Sequence, residues 1–595
     1  MCGYLGKIST NKLEDTDLSF PNSLIECRGP DNKREIINND DVINYSLIFN
    51  RLSILDLSKE ANQPLFSEEF NSLLMFNGEI YNHSILRKKL EDKKLKFKTD
   101  HSDSEVVLNG LSFYGKEFIK ELRGQFSIFF LNKQKKKIIL ARDRLGQKPL
   151  YVGLNNNELA FGSNFLSVSK IINNKKINEF QIYKYLNYGV ISSPNTIYNE
   201  VIKLSPAEIL EIDYSSGNFK HKSEIYWSPE DFLDNKKFNE DEFLNLFSES
   251  VAIRANADVP VANFLSGGLD SSSIVKNLHD NSRNINSFSV TVDSEKYDES
   301  IWSKKVADKY DTSHKTVLVS SKIEFEEINQ SLMSIDEPYA DPSVVPSFLL
   351  SKEISKYYKV AIAGDGGDEL LGGYYRTNYN AKNKNSLMNL VSKFYPLYPS
   401  FLGTGNFFLA KSSNLKTAFT SFLEDRNLLY LLGLNYSPEG FNDIELNFSD
   451  DKYKNLLLAD YKFYLPEMMM FKIDRTSMAS SLEVRSPFVD HELIEYIISH
   501  SYEYYDSSRP KSLLQDYLGQ DFNFEFTNRR KKGFSLDIEK WIYNNIDIIN
   551  DYIENGTVVK SLNPNIIKKL SINKSRINSH RIWKLFVLEH FLQRT

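Results

Sequence analysis

Residues Val259–Ser272 have the sequence VPVANFLSGGLDSS, and this stretch decides how the second half of the chain folds. An apolar strand over Val259–Leu265 is followed by a glycine turn, and a helix restarts at Ser271–Leu278. The backbone N–H groups of such a turn and the positive end of the helix attract an anion, so phosphate is the natural ligand. A simple glycine-rich turn is the alternative, but the hydroxyl groups on both sides of the turn favour a phosphate loop.

The sequence around this loop alternates strands with helices. An amphipathic helix is predicted at Phe238–Ala255, and further strands are predicted at Ser287–Val292, Thr316–Val319 and Val360–Ala363. Strands that are separated by helices predict a parallel α/β sheet.

Two aspartates are candidates for a metal site. Asp270 and Asp368 are distant in sequence, but both follow predicted strands. Because the carboxyl ends of parallel strands meet at one edge of a sheet, we expect their side chains to lie close together. Carboxylate oxygens beside a triphosphate are the ligands that Mg²⁺ prefers, and two exposed turn aspartates are the alternative.

The chain before Asp213 has a different pattern, with short strands separated by turn residues. One helix is predicted among them, at Ser102–Phe113. The predicted strands are Ser46–Phe49, Leu73–Asn77, Gln125–Leu131, Lys137–Arg142 and Leu150–Leu154.

We therefore expect two large units, joined between Asp213 and Phe238, where polar residues interrupt the apolar pattern. The predicted domains span residues 2–215 and 238–545, with a helical insertion at about 376–455 and a C-terminal helical extension at 546–595.

Composition excludes several classes of protein. Of the 595 residues, 41% are apolar and 26% are charged, as in folded proteins and unlike disordered or fibrous ones. The net charge of −6 does not favour a polyanion, so no nucleic acid partner is expected. Two cysteines exclude a disulfide framework. The sequence shows neither a leader pattern nor an apolar run long enough to span a bilayer, so we expect a cytoplasmic protein without a membrane partner.

Cys2 is a candidate nucleophile because a small residue after the initiator Met normally allows that Met to be removed. The α-amine of Cys2 would then have an ordinary pKa of about 7.7–8.0 and could accept the proton of the neighbouring thiol. From position alone, an ordinary penultimate residue is the alternative.

Other residues match what chemistry on a glutamine side chain requires. Arg51 offers a guanidinium fork for an α-carboxylate, and Asn77 with Gly78 offers N–H groups for an oxyanion. Glu79 and Asp103 are carboxylates that could hold an α-ammonium group. Each of these residues alone is more often a surface charge or a turn residue, but their joint order favours a glutamine site.

These residues belong to a series of motifs, which resembles the class II glutamine amidotransferase domain of the N-terminal-nucleophile hydrolase fold, with αββα layers. The motifs are MCG at Met1–Gly3, RGPD at Arg28–Asp31, RLSI at Arg51–Ile54, NGEIYN at Asn77–Asn82, SDSE at Ser102–Glu105 and RGQF at Arg123–Phe126. The resemblance implies that Cys2 is the nucleophile and that Asn77 and Gly78 form the oxyanion hole. The implied glutamine-binding residues are Arg51, Asn77, Gly78, Glu79 and Asp103.

A second series of motifs resembles the glutamine-hydrolysing asparagine synthetase family, whose C-terminal domain is a parallel α/β ATP pyrophosphatase. Besides the loop at Val259–Ser272, the motifs are DEPYADPS at Asp336–Ser343, GDGGDELLGGY at Gly364–Tyr374, FKIDRTSMA at Phe471–Ala479, EVRSPF at Glu483–Phe488 and RRKKGF at Arg529–Phe534. The resemblance implies that Asp365 and Lys531 act beside an acyl-adenylate, and that Asp270 and Asp368 hold Mg²⁺. The implied ATP-binding residues are Leu265, Ser266, Gly267, Gly268, Asp270, Ser271, Val290, Ala363 and Gly364.

The resemblance also implies two half-reactions in separate sites. Glutamine would be hydrolysed at Cys2 through a thioester, and ATP would adenylate a carboxylate that ammonia then converts to an amide, with release of AMP and pyrophosphate. Ammonia would travel through an interior tunnel between the domains. The segment Arg142–Tyr151 is expected at the domain interface, with a charged hairpin as the alternative. Glutamine, ATP and aspartate are the expected partners, and a homodimer is an open expectation.

One motif departs from the family pattern. Family members commonly have Ser-Gly-Glu-Gly-Ala/Ser-Asp-Glu where this chain has AGDGGDE at Ala363–Glu369. Asp365 is one methylene shorter than glutamate, and Ala363 lacks a hydroxyl group. The resemblance favours aspartate as the acceptor. These two departures leave sugar acids of surface polysaccharides or secondary metabolites as the alternative. A catalytically silent scaffold is a rival of another class, but the retention of the reactive residues argues against it.

Overall fold

The computed structural model describes residues 2–13, 18–39, 43–292, 300–319, 323–382, 390, 393–395, 398–399, 404–412, 414–435, 446–500, 509, 511–529 and 537–595. Within these residues the chain forms three β-sheets. Two sheets are antiparallel and belong to the first part of the chain, and the third is parallel and belongs to the second part.

The two antiparallel sheets form the inner layers of a sandwich. Their strands are β1 (Gly3–Ser9), β2 (Asn32–Asn38), β3 (Asn44–Arg51), β4 (Leu65–Ser67), β5 (Ser72–Ile80), β6 (Gly124–Asn132), β7 (Lys137–Arg142), β8 (Tyr151–Leu154), β9 (Glu158–Gly162), β10 (Ile202–Lys203), β11 (Glu208–Asp213) and β12 (Lys220–Ile225). The first sheet has the order β10-β8-β9-β1-β3-β2, and the second has the order β12-β11-β7-β6-β5-β4.

The apolar run of β6 shows why the sheets stack. Phe129 and Leu131 belong to the core between the two sheets, whereas Ile128 and Phe130 belong to the core on the opposite face. All four are buried, because successive side chains of a strand point to opposite faces and both faces of this sheet are covered.

Helices cover the outer faces of both sheets, which completes the predicted αββα layers. The helix Asp103–Tyr114 packs on the second sheet, and the helix Phe165–Ile171 packs on the first. The α-helices of this part are Ser19–Ser23, His83–Glu91, Asp103–Tyr114, Phe165–Ile171 and Glu179–Tyr188.

The third sheet is parallel, as predicted for the second half. Its strands are β13 (Val261–Phe264), β14 (Asn286–Val292), β15 (Ser313–Val319), β16 (Val360–Ile362) and β17 (Glu483–Arg485), in the order β15-β14-β13-β16-β17. Each neighbouring pair is parallel. The direction of winding reverses between β13 and β16, and the crevice at such a switch point is where open α/β sheets bind their ligands.

Helices surround the parallel sheet and also form the insertion and the C-terminal extension. The last helix, Arg576–Leu592, packs into the same core as the helices on the first sheet. The α-helices of this part are Glu240–Arg254, Leu269–Asp280, Ser300–Lys309, Phe325–Met333, Val344–Ile354, Gly367–Leu370, Tyr375–Lys382, Asn406–Leu409, Leu415–Thr420, Arg426–Leu431, Lys452–Ala459, Phe471–Met478, His491–Ser499, Ser512–Gly519, Phe524–Asn528, Ile538–Asn544, Ile546–Glu554, Val558–Leu562, Ile566–Ile572 and Arg576–Leu592.

The division into domains at residues 215 and 238 stays a prediction. The second sheet continues past residue 215, because β12 pairs with β11 along its whole length. Polar and charged residues fill β12, which is an edge strand exposed to solvent, so its sequence resembles a linker.

Candidate active sites

Cys2 lies immediately before β1 and belongs to the core between the two antiparallel sheets. The backbone N–H of Cys2 donates a hydrogen bond to Oδ1 of Asn77 at 2.9 Å. Asn77 lies in β5 of the facing sheet, so the stacking of the sheets brings two distant segments together. Burial raises the pKa of the Cys2 thiol, and the thiol therefore needs a base before it can act as a nucleophile.

Gly78 follows Asn77 in β5, where the strand lies close to β6. A Cβ atom at Gly78 would lie 2.1 Å from the backbone oxygen of Gln125, so no larger residue fits. Nδ2 of Asn77 lies 3.5 Å from Oγ of Ser127, which is a long contact, so the amide is held mainly through Oδ1. The oxyanion-hole role of these two residues stays a prediction.

Arg51 ends β3, and its guanidinium is enclosed by the loop that follows it. It donates hydrogen bonds to the backbone oxygen of Ser58 at 2.8 Å, to Oδ1 of Asn62 at 2.7 Å, and to the backbone oxygen of Asp56. Asp56 has a left-handed backbone with φ of 53°, a conformation that aspartate tolerates better than most residues. The loop and the guanidinium therefore hold each other in place.

Glu79 and Asp103 lie near the same end of β5. Oδ2 of Asp103 accepts a hydrogen bond from the backbone N–H of Ile80 at 3.0 Å. Oε2 of Glu79 lies 3.1 Å from Nη2 of Arg485, which belongs to β17 of the parallel sheet. Burial opposes the charge of Arg485, but the carboxylates of Glu79 and Glu483 outweigh it and raise the pKa of the guanidinium.

Arg28 connects Cys2 with the second part of the chain. Its Nε donates to the backbone oxygen of Cys2 at 3.1 Å, and its two terminal nitrogens donate to the carboxylate of Asp474 at 2.9 and 3.1 Å. Although burial opposes ionisation, Arg28, Lys148 and Arg475 hold the pKa of Asp474 well below its ordinary value. The region of Cys2 is therefore packed directly against the second half of the chain.

The predicted phosphate loop follows β13 and leads into the helix Leu269–Asp280. Oγ of Ser271 lies 3.1 Å from Oγ of Ser266 and accepts a hydrogen bond from the backbone N–H of Ser266 at 3.2 Å. Gly267 has a φ of 72°, and a Cβ atom there would lie 2.5 Å from the backbone nitrogen of Ser303. Only glycine can hold this tight turn at the start of the helix.

Asp270 and Asp368 lie close together, because they follow β13 and β16 on either side of the switch point. Nζ of Lys511 lies 2.6 Å from both carboxylate oxygens of Asp270 and 2.6 Å from Oδ1 of Asp368. Burial opposes the charge of this ammonium, but the two carboxylates outweigh burial and raise its pKa. Since both carboxylates reach one cation, the pair fits the expected Mg²⁺, whose remaining ligands would be phosphate and water oxygens.

Three of the other predicted residues lie around the same edge of the sheet. Leu265 donates its backbone N–H to the oxygen of Phe288 at 2.7 Å, and Ala363 donates its N–H to the oxygen of Arg485 at 3.0 Å. A Cβ atom at Gly364 would lie 2.9 Å from the backbone nitrogen of Ser271, so the two loops touch.

Val290 and Gly268 complete the described part of the predicted ATP site. Val290 is half-buried in β14, and Gly268 is buried at the start of the helix that follows the loop. Asp365 is half-buried in the loop after β16. Lys531 lies outside the described residues. Arg529, the first residue of the same motif, donates from Nη2 to the backbone oxygen of Gly267 at 2.9 Å and so contacts the predicted phosphate loop.

Sequence reasoning missed Lys511 and a network of buried charges between the two halves. The hydroxyl of Tyr151 donates to Glu337 and accepts from Nη2 of Arg475 at 2.6 Å. Nζ of Lys203 lies 3.1 Å from Oε1 of Glu337 and 3.1 Å from Oε2 of Glu467. Tyr151 ends the segment Arg142–Tyr151, and its contacts with Glu337 and Arg475 agree with the expected position between the two halves. Tyr151, Glu337 and Arg475 lie in segments that a sequence pattern singles out, whereas Lys203 and Glu467 do not. The contacts among all five are evident only in three dimensions.

Within the described part of the chain, no helix is both long enough and apolar enough to cross a membrane.

Comparisons with known proteins match both halves of the chain to known families. The model of the asparagine synthase family matches residues 242–593, and the model of the glutamine amidotransferase domain matches residues 1–227. A putative glutamine-hydrolysing asparagine synthetase 2 of Methanocaldococcus jannaschii is 32% identical over 80% of this chain and 98% of its own length. Glutamine-hydrolysing asparagine synthetase 1 of Bacillus subtilis is 28% identical over 99% of this chain and 96% of its own length.

A more distant relative, named amidase chyE, comes from Penicillium rubens and is 24% identical over 91% of this chain and 88% of its own length. The family matches together cover the glutamine site and the ATP site, and they agree with the predicted fold class. The chain belongs to the asparagine synthetase family of ligases and carries the glutamine amidotransferase domain of that family at its N-terminal end.

Proposed function

We propose that this protein converts a carboxylate to an amide with glutamine as nitrogen donor and ATP as energy source, and that the carboxylate is the β-carboxyl group of aspartate. The contact between Cys2 and Asn77 supports the proposal most directly, because a nucleophile and an oxyanion donor have to lie side by side. The names of the relatives support aspartate as the acceptor.

The first half-reaction is glutamine hydrolysis. Once Met1 is removed, the nitrogen of Cys2 is an α-amine that takes the thiol proton, and the thiolate sulfur attacks the amide carbon of glutamine. The N–H groups of Asn77 and Gly78 stabilise the oxyanion. The ammonium returns the proton to the leaving nitrogen, and ammonia departs from a thioester. Water then attacks the thioester, which releases glutamate and restores the thiol.

Three residues of the same site bind the amino-acid end of glutamine. Arg51 pairs with the α-carboxylate, and Glu79 and Asp103 hold the α-ammonium group. Arg51 already donates to the loop around it, so glutamine joins a guanidinium that is fixed in direction.

In the second half-reaction, an oxygen of the acceptor carboxylate attacks the α-phosphorus of ATP, and the bond to the bridging oxygen breaks to release pyrophosphate. The backbone N–H groups of the loop Ser266–Ser271 and the ammonium of Lys511 bind phosphate oxygens. Magnesium, held by Asp270 and Asp368, would supply positive charge to the polyphosphate.

Ammonia then attacks the acyl carbon of the adenylate, and AMP leaves. Asp365 takes the proton that the nitrogen releases, and Lys531 stabilises the negative charge beside the acyl-adenylate. Ammonia reaches this site through the interior between the two halves, where Arg28 and Asp474 already join them.

The experiment that tests the proposal measures pyrophosphate release from the purified protein with ATP, Mg²⁺ and glutamine, with and without aspartate. Release that requires aspartate, with asparagine as a product, is the expected result. Glutamine hydrolysis that depends on Cys2 but no aspartate-dependent pyrophosphate would contradict aspartate as the acceptor.

The second candidate acceptor is another carboxylate, such as a sugar acid or a secondary metabolite. The loop after β16 favours it, because Asp365 and Ala363 replace a longer carboxylate and a hydroxyl that the family commonly has there. A panel of carboxylates in the same pyrophosphate assay separates the two candidates.

A further inference from the structure

Asp258 lies just ahead of β13 in the synthetase half, but its side chain contacts the glutamine amidotransferase half. A single oxygen, Oδ2, accepts a hydrogen bond from the backbone N–H of Asp56 at 2.7 Å and lies 2.6 Å from Nε2 of His101. The backbone N–H of Asp258 also donates to the oxygen of Ile54 at 3.1 Å. These contacts tie one residue of the synthetase half to two separate loops of the other half.

The first loop follows Arg51 and encloses its guanidinium. The guanidinium of Arg51 donates to the backbone oxygen of Asp56, whose N–H donates to Asp258. Asp56 is buried in a left-handed conformation that few residues adopt, so its orientation depends on the bonds it makes. The bond to Asp258 is therefore one residue removed from the guanidinium that the proposed function assigns to the α-carboxylate of glutamine.

The second loop carries Asp103. His101 stands close to Asp103 in sequence, at the start of the helix Asp103–Tyr114. Nδ1 of His101 lies 3.0 Å from Oδ2 of Asp100, and its Nε2 faces Asp258. Because both ring nitrogens face carboxylate oxygens, both have to donate, and only the protonated imidazolium can do so.

We propose that Asp258 is a positioning residue for the glutamine site, because one of its carboxylate oxygens holds both the loop that encloses the guanidinium of Arg51 and the segment that leads to Asp103. This inference rests on the proposed glutamine hydrolysis at Cys2. Asp258 touches no reacting atom, so its loss weakens glutamine binding and leaves the chemical step at saturating glutamine unchanged.

The charge of His101 makes the link to Asp258 depend on pH. The hydrogen bond to Asp258 is the main cause that raises the pKa of His101; Asp100 adds to it, and Asp56 also faces the ring. As pH rises through this raised pKa, the ring loses one of its two donors and the link to Asp258 weakens. The KM for glutamine of the wild-type protein is therefore expected to rise with pH, relative to a variant that lacks the link.

The test compares the full-length wild-type protein with Asp258→Ala, Asp258→Asn and His101→Gln. Hydrogen bonds to charged groups of this kind are worth about a tenfold change in binding, so Asp258→Ala is expected to raise the KM for glutamine about tenfold with kcat within about twofold. Asp258→Asn and His101→Gln are expected to change KM in the same direction, by less, and to lose the extra rise of KM with pH.

Glu230→Gln is the matched control. Oε1 of Glu230 pairs with Nζ of Lys462 at 2.5 Å, and its side chain is exposed to a similar degree but contacts neither loop. An unchanged KM is expected for this variant. Circular dichroism shows whether each variant is folded. His101→Gln tests the same link from the amidotransferase side if Asp258→Ala does not fold.

A second measurement separates this inference from the proposed function. The glutamine analogue 6-diazo-5-oxo-L-norleucine alkylates a nucleophilic cysteine, and the concentration for half-maximal inactivation reports binding while the limiting rate reports chemistry. In Asp258→Ala, the concentration for half-maximal inactivation is expected to rise, and the limiting rate of inactivation is expected to remain unchanged. An unchanged concentration and KM, or a fall in kcat alone, would overturn the positioning role. Absence of labelling at Cys2 in the wild-type protein would overturn the proposed function itself.

Discussion

The glutamine site and the ATP site are built in different ways. The first lies inside a closed sandwich, where Cys2 and Asn77 come from facing sheets and are buried. The second lies at the open edge of a parallel sheet, where loops after β13 and β16 bring Asp270 and Asp368 together around Lys511. The facing sheets therefore position the candidate nucleophile, whereas loops position the two carboxylates that are proposed to hold Mg²⁺.

This difference predicts how strongly a substitution at one site affects the structure around it and the activity of the other site. Asn77 and Gly78 pair with Ser127 and Phe126 of β6 through their backbones, so a side chain can be removed there without breaking the pairing of the strands. Both carboxylates of the proposed ATP site contact the ammonium of Lys511, and removal of that group takes away a positive charge beside the buried carboxylate of Asp270 and the partly exposed carboxylate of Asp368.

The largest effect is expected from Cys2→Ala. Loss of the nucleophile should lower glutamine-dependent activity at least about 10³-fold, because no other group can form the thioester. Synthesis driven by added ammonium salt should be retained. The measurement compares both nitrogen sources, with Cys27→Ala as the matched control at the other cysteine. Equal loss with ammonium would mean that the two sites are not separable.

The next effect is expected from Lys511→Met, which removes the ammonium between the two carboxylates. Loss of a charged phosphate ligand should lower ATP-dependent pyrophosphate release by about 10²–10³-fold while glutamine hydrolysis continues. Lys276→Met is the matched control, since Lys276 pairs with Asp521 at 2.7 Å on the same helix as Asp270. Retained pyrophosphate release in Lys511→Met would show that Lys511 does not serve the nucleotide.

A smaller loss is expected from Asn77→Ala, which removes one donor of the oxyanion hole. The kcat of glutamine hydrolysis should fall about 10²-fold, with less change in KM, because the oxyanion exists only in the transition state. Ser127→Ala is the control, because it removes the contact with Nδ2 of Asn77 at 3.5 Å and a hydrogen bond from the hydroxyl of Tyr4 at 3.1 Å, but no predicted oxyanion donor. A change of KM alone would assign Asn77 to substrate binding instead.

The smallest effect concerns the border between the two regions. Burial, followed by the charge of Arg144, lowers the pKa of His491 to about 3, so the folded protein keeps this ring neutral. The unfolded chain binds a proton below about pH 6.5, and the free energy of unfolding should therefore fall by about 1.4 kcal/mol per pH unit below that value. Between pH 6.5 and 5 this contribution is about 2 kcal/mol.

The measurement is the free energy of unfolding against pH for the wild-type protein and His491→Gln. The variant should lose this part of the pH dependence. His221→Gln is the control, because His221 is exposed on β12. An identical pH dependence in wild type and His491→Gln would contradict a neutral buried ring.

The sequence singles out the candidate reactive residues more readily than the residues that hold them in place. Cys2 and Asn77 could be found because each lies in a local motif, and the contact between them follows from a sandwich of sheets. Lys511 and Arg485 act through partners that are far away in the chain, and no local pattern reports such a contact. Lys531 is predicted by its motif, and its role stays a prediction.

The apolar pattern predicts strands where apolar residues dominate. Where polar residues intervene, the predicted strand is shorter than the strand in the structure. The predicted strand at Thr316–Val319 extends back to Ser313 in the structure. His314 lies in this extension, and its ring nitrogens face the hydroxyl oxygens of Ser287 and Ser289 on β14 at 2.8 and 3.0 Å. Hydrogen-bond partners on the neighbouring strand thus allow polar residues in this largely exposed edge strand, which a pattern of hydrophobicity does not show.

The bidentate pair of Arg28 and Asp474 also bears on the evolutionary history of the chain. Arg28 comes from the amidotransferase half and Asp474 from the synthetase half, and both are buried. Loss of one partner of a buried ion pair destabilises a fold by about 3–5 kcal/mol. Either half expressed alone would therefore carry a charged group without its partner from the other half. Gene fission or the exchange of one half for a foreign counterpart would carry the same penalty, and the two halves are therefore expected to be inherited as one unit.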